Sequence, residues 1–75
     1  MEKRYYVTAE WDDDAKCWYV KESDVPGLFA EADTLEAFEK EIFELIPVLI
    51  RLNNPKLKKG YYVDLSHRKH FKHAS

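Results

Sequence analysis

Tyr5-Tyr6-Val7-Thr8-Ala9-Glu10-Trp11, then Asp12-Asp13-Asp14-Ala15-Lys16, then Cys17-Trp18-Tyr19-Val20-Lys21, is the stretch that decides the fold. The first seven residues are rich in aromatic and β-branched types and they alternate. Tyr5, Val7, Ala9 and Trp11 fall on one side and Tyr6, Thr8 and Glu10 on the other, the period of a half-buried strand. The aspartate-rich segment is dense in turn formers. In the next run the alternation puts Trp18 and Val20 on the core side and Cys17 and Tyr19 opposite, so the two runs predict a hairpin with one apolar face.

Further along, Ser23-Asp24-Val25-Pro26-Gly27 reads as a second turn, in which Pro26 presets its own φ and Gly27 supplies a positive φ. A short strand over Leu28 to Ala32 is predicted after it. Asp33 or Thr34 then caps a helix, with Asp33 and Glu36 spaced as a capping box. Leu35, Phe38, Ile42, Leu45, Ile46, Leu49 and Leu52 form one apolar stripe at helical spacing, while Glu36, Glu39, Lys40, Glu41 and Glu44 take the other face. Phe43, Val48 and Ile50 lie off the stripe. With Tyr61 and Val63 they make an expected interface between copies of the chain, a homodimer or higher oligomer. Pro47 predicts a kink or an end within the run, and Asn53-Asn54-Pro55 stops whatever continues. Lys56 to Gly60 reads as a basic linker, and Tyr61-Tyr62-Val63-Asp64-Leu65-Ser66 alternates as a last strand.

The expected fold is therefore α+β in the order β-β-β-α-β: a three-stranded antiparallel sheet, one packed helix and a further C-terminal strand. It occupies residues 1–66, with a basic, histidine-containing tail over 67–75. A chain of 75 residues, 45% hydrophobic and 35% charged, has room for one core, which excludes a multidomain enzyme. So short a chain buries only about 60% of its unfolded surface, so association is a standing expectation. Cys17 is the sole cysteine, which excludes an intrachain disulfide and a cysteine-based zinc site and suits a reducing compartment. Without an apolar run long enough for a signal peptide or membrane span, the expected location is the cytoplasm.

The net charge of −2 conceals an asymmetry, because the chain carries −8 up to Pro47 and +6 beyond it. An acidic body and a basic tail suggest different partners. Asp12, Asp13 and Asp14 invite a hard-cation reading, but the loop lacks the spaced acids, central glycine and distal glutamate of a calcium loop. A hairpin turn with an acidic, partner-facing surface accounts for them better. His67, His70 and His73 recur every third residue with no acid after Asp64 to complete a site, which favours a solvated tail over a metal centre. Nothing beside Cys17 marks a low-pKa thiolate. Phosphate-cradling glycine loops, nucleophilic triads and metallohydrolase helices have no counterpart in the chain, so the expectation is a non-catalytic protein without cofactor or metal. An alternative from another class is a small nucleic-acid-binding module. It would use Lys56, Lys58, Lys59, Arg68, Lys69 and Lys72 on phosphates, with Tyr61, Tyr62 and Phe71 stacking on bases; the −8 body opposes it.

Taken together, Tyr6-Val7-Thr8-Ala9-Glu10-Trp11-Asp12, Trp18-Tyr19-Val20, Ser23-Asp24-Val25-Pro26-Gly27-Leu28 and Glu31-Ala32-Asp33-Thr34-Leu35-Glu36 resemble the HicB-like antitoxin domain. Leu45-Ile46-Pro47 looks like a short subgroup of that superfamily, catalogued as a domain of unknown function, and the likeness runs from about residue 4 to 66. Where the family usually has Gly-Asp-Thr, this chain has Ala32-Asp33-Thr34. The resemblance implies a partial ribonuclease-H-like fold. It also implies binding and neutralisation of a small, basic, HicA-like toxin that cleaves messenger RNA, in a prokaryotic toxin–antitoxin system. Full-length relatives add a C-terminal DNA-binding module, which these residues are not expected to supply, and the short subgroup adds a further alternative, an oligomeric protein-interaction domain with no toxin partner. Toxin contacts are expected from Glu10, Asp12, Asp13, Asp14, Glu22 and Asp24 as charge complements, and from Tyr6 and Tyr19 as aromatic anchors on the exposed sheet face.

Overall fold

In the computed structural model, residues 3–57 and 60–69 are described. They form β1 (Lys3–Asp12), β2 (Cys17–Ser23), β3 (Glu31–Ala32), α1 (Leu35–Asn53) and β4 (Tyr61–Arg68). The strands lie in the order β3-β2-β1-β4. β1 pairs antiparallel with β2, and β2 with β3, as the hairpin reading requires. β4 instead joins β1 in parallel, from Lys3↔Tyr61 to Glu10↔Arg68, so the four-stranded sheet is mixed rather than antiparallel with an appended strand. A parallel neighbour needs a crossover, and α1 provides it.

The alternation of β1 is realised as read. Tyr5, Val7 and Ala9 are buried, and Val63 and Leu65 stand opposite Tyr5 and Val7 on the same face. Against that face α1 lays Phe38, Ile42, Ile46 and Ile50, one residue from each turn. Ile50 is 4% exposed, which removes it from the expected interface between copies and places it in the core. Leu52, expected in the stripe, is 73% exposed. The buried row recurs every fourth residue and so drifts around the helix as it advances, and by the last turn the core side has reached Ile50 and passed Leu52. Val48 and Phe43 are also separated by this geometry. Five residues at about 100° each turn Val48 roughly 140° from Phe43, so the two exposed side chains do not form one surface.

The helix starts at Thr34, whose hydroxyl accepts from the Ala37 amide at 3.1 Å; the expected Asp33–Glu36 box is replaced by this single cap. It does not end at Pro47. The proline leaves the Phe43 carbonyl without its helical donor, yet Phe43 sits on an exposed flank and the helix runs on to Asn53, where the Asn54 amide donates to the Ile50 carbonyl. The predicted strand over Leu28 to Ala32 shrinks to Glu31–Ala32. The Leu28 amide is still engaged with the Val25 carbonyl at 3.2 Å, closing a turn in which Gly27 has a φ of 76° as expected. The last strand, by contrast, is longer than predicted. It takes in His67 and Arg68, and the His67 ring stands edge-on to Trp18 at 5.8 Å, which ties the start of the expected tail into the sheet.

Candidate functional site

Because α1 covers one face of the sheet, the side chains of opposite phase are left on an open face. From β1 these are Arg4, Tyr6, Thr8 and Glu10; from β2, Cys17 and Tyr19; from β4, Tyr62, Asp64 and Arg68. Tyr6 is 57% exposed and Tyr62 50%. The face is cross-braced by polar contacts. The Tyr19 hydroxyl donates to Glu10 Oε2 at 2.7 Å, and Lys21 Nζ lies 3.7 Å from the same oxygen. Between Thr8 and Ala9 the β1–β2 register shifts, leaving Lys21 without a partner across the ladder, the arrangement of a β-bulge. Arg4 donates to Asp64 Oδ2 at 2.7 Å while its guanidinium lies 4.8 Å from the Tyr62 ring centroid. The carboxylate of Asp64 raises the Arg4 pKa, and the hydrogen bond to Glu10 raises that of the Tyr19 phenol, so both groups keep their protons throughout the neutral range.

The six acids singled out in the sequence do not converge on one point. Asp12, Asp13 and Asp14 sit at the hairpin tip, while Glu22 lies across from Thr8 and Asp24 beside Tyr6, about 13 Å and about 20 Å from Asp12 along the strand direction. Four of them have structural duties. Asp12 Oδ1 accepts from the amides of Asp14 and Ala15, and Asp24 Oδ1 accepts from the Tyr6 amide at 2.7 Å. Asp13 accepts from Lys16 Nζ at 3.0 Å and from the Trp11 indole at 3.3 Å, and Glu10 is braced as above. The Lys16 hydrogen bond, followed by that from Trp11, holds the Asp13 carboxyl below the usual carboxylate range. Its contribution to the turn is present above the ordinary carboxylate pKa and is lost as pH falls through the lower folded value. The side chains of Asp14 and Glu22 have no hydrogen bond or ion pair among the described residues.

Sequence reasoning missed Arg4, Tyr62 and Asp64 as members of this face. Their signal was the alternation of the last strand, which puts Tyr62 and Asp64 opposite Tyr61 and Val63; what was missing was the knowledge that β4 lies beside β1. Of the six basic residues considered for nucleic acid, Lys58, Lys59 and Lys72 lie outside the described residues, as do His70 and His73. Lys56 is exposed in the loop after α1, Arg68 ends β4, and Lys69 Nζ stands 4.5 Å from the Trp11 ring centroid. Arg68, beside Glu10, and Lys69, over Trp11, lie on opposite faces of the sheet. Among the described residues no group of three or more His, Cys, Asp or Glu is placed to hold a metal ion, and no helix is long and apolar enough to cross a membrane.

Cys17 is half-buried on the open face with its Sγ 3.7 Å from Glu31 Oε2. Desolvation first, and then the negative Glu31, push its thiol pKa up, the reverse of what a nucleophilic cysteine needs. Iodoacetamide is expected to alkylate folded Cys17 more slowly at neutral pH than the urea-unfolded chain, and Glu31→Gln is expected to speed the folded reaction. Equal rates in all three samples would contradict this environment.

One long helix across a mixed four-stranded sheet, with the opposite face open and tyrosine-rich, defines a small two-layer α+β domain. The chain belongs to the family described as a domain of unknown function (DUF1902), whose profile matches residues 4–72. It is similar to the crystal structure of a hypothetical protein from the extremely thermophilic bacterium Thermus thermophilus. The identity is 30% and the TM-score 0.70, covering 97% of this chain and 100% of that one. No curated protein matches the chain.

Proposed function

We propose that the domain is a non-catalytic, antitoxin-type protein that docks a small basic toxin of the HicA-like kind on its open sheet face. The observation that carries the proposal is the pairing of two exposed tyrosines, Tyr6 and Tyr62, with carboxylates already fixed in place by hydrogen bonds: Asp24 on the Tyr6 amide, Asp64 on Arg4 and Glu10 on Tyr19. Tyrosine supplies a large contact area with few rotatable bonds, and fixed acids lose little freedom when a cationic partner arrives. Asp14 and Glu22, unengaged at either end of the hairpin, extend the negative field and speed encounter. The resemblance of the Asp24-Val25-Pro26-Gly27 turn and the Asp33-Thr34-Leu35-Glu36 helix start to HicB-like domains supports the same reading.

The test is growth rescue on co-expression with a HicA-like toxin from the same genome, followed by titration of the purified pair. The unaltered chain is expected to restore growth. Tyr6→Ala combined with Tyr62→Ala is expected to abolish rescue, and Asp14→Lys with Glu22→Lys to slow association about tenfold and flatten its salt dependence. None of these four residues belongs to the core. Rescue that survives both pairs of changes would overturn the assignment of this face, and toxin cleavage unaffected by the unaltered chain would overturn the function.

A further inference from the structure

We propose that β4 pairs antiparallel with β4 of a second copy of this chain about a two-fold axis, joining two four-stranded sheets into one. Two features meet at that edge. In the strand order β3-β2-β1-β4, β4 is terminal over its whole length, so among the described residues one row of its backbone N–H and C=O groups has no strand to pair with. Beside it runs an apolar groove of about 130 Å³, lined by Phe43, Ile46 and Pro47 from α1 and by Tyr61 and Val63 from β4. α1 reaches this edge through the side chains of Phe43, Ile46 and Pro47. Phe43, 56% exposed, stands at the rim of the groove.

The occupant that fits is β4 itself. Tyr61, Val63 and Leu65 share the core phase, and a two-fold antiparallel pair that sets Leu65 opposite the Leu65 of the partner copy keeps the core-phase side chains of both strands on one face. On the open face the charges decide the direction. β4 carries its acid, Asp64, near the middle and its base, Arg68, at the end. Parallel in-register pairing would align Asp64 with Asp64 and Arg68 with Arg68. Antiparallel pairing brings the Arg68 end of each strand toward the Tyr62–Asp64 segment of the other, where unlike charges and a cation–ring contact are available. In that register the two grooves lie at opposite ends of the seam, each beside the C-terminal end of the partner copy's β4, with Phe43 of each copy over the junction. The other flank of the helix, marked by Val48, stays outside this interface.

Sedimentation equilibrium of the full chain over a concentration series tests the proposal. The unaltered chain is expected to have twice the chain mass. Phe43→Glu and Arg68→Glu are each expected to weaken the dimer at least about tenfold with the far-ultraviolet circular dichroism unchanged, whereas Val48→Glu should leave it intact. Hydrogen exchange provides a second reading, in which β4 amides lose protection on dilution while those of β2 keep it. A chain that stays monomeric throughout, or a dimer that tolerates both changes and is broken by Val48→Glu, would overturn the proposal; a dimer formed only in the presence of another protein would do the same.

Discussion

Phe38→Ala is expected to destabilise the domain by about 3–5 kcal/mol, the cost of emptying a large buried aromatic site. Phe38 is fully buried and is among the largest of the enclosed side chains, set in the first half of α1 against the sheet. A chain of this size has roughly 4–11 kcal/mol of total stability, so the loss is a large fraction of it. At about 4–8 °C per kcal/mol, the melting temperature should fall by at least about 12 °C. Leu52→Ala, on the last exposed turn of the same helix, supplies the control and is expected to change stability by under about 0.5 kcal/mol. Thermal unfolding followed by circular dichroism checks both. Similar melting curves for the two variants would mean that the helix does not rest on the sheet through its Phe38-Ile42-Ile46-Ile50 row.

The contrast between Phe38 and Leu52 also shows where sequence periodicity stops. The hairpin was legible because β1 and β2 are adjacent in the chain and alternate strictly, and the turn at Gly27 because positive φ has few other solutions. The helix was legible in its position and start. Its buried side was only partly so, since Ile50 and Leu52 are equally apolar and only the placement of the sheet beneath the last turn separates them. The open face was half legible. Tyr6, Glu10 and Tyr19 follow from the hairpin phase, whereas Arg4 and Asp64, sixty residues apart, meet only because β4 lies parallel to β1, and no local pattern encodes that neighbour. The sequence places Asp12 and Asp24 in turns and offers them as charge complements, without showing which backbone groups they engage. The structure shows that Asp12 and Asp24 hold backbone amides, which is a property of position rather than composition.

Pro47→Ala is expected to raise the stability of the single chain by about 1–2 kcal/mol. A proline inside a helix is disfavoured by about 3 kcal/mol relative to alanine, because it lacks the amide proton and its ring crowds the carbonyl four residues earlier, here that of Phe43. Against this gain stands the loss of the ring from the groove it shares with Phe43, Ile46, Tyr61 and Val63. Pro47 is only half-buried, so the lost burial is about 1 kcal/mol at roughly 0.8 kcal/mol per buried methylene. The difference should lift the melting temperature by about 4–16 °C in samples dilute enough to be monomeric. The same change removes part of the apolar surface that faces a second copy, so sedimentation of Pro47→Ala should show a weaker dimer at the same time as a firmer monomer. A residue that costs the helix stability and contributes surface to a groove is accounted for by use of that groove. If Pro47→Ala instead melts earlier than the unaltered chain, the ring stabilises the fold by packing, and the helix bears its presence for the sake of the core alone.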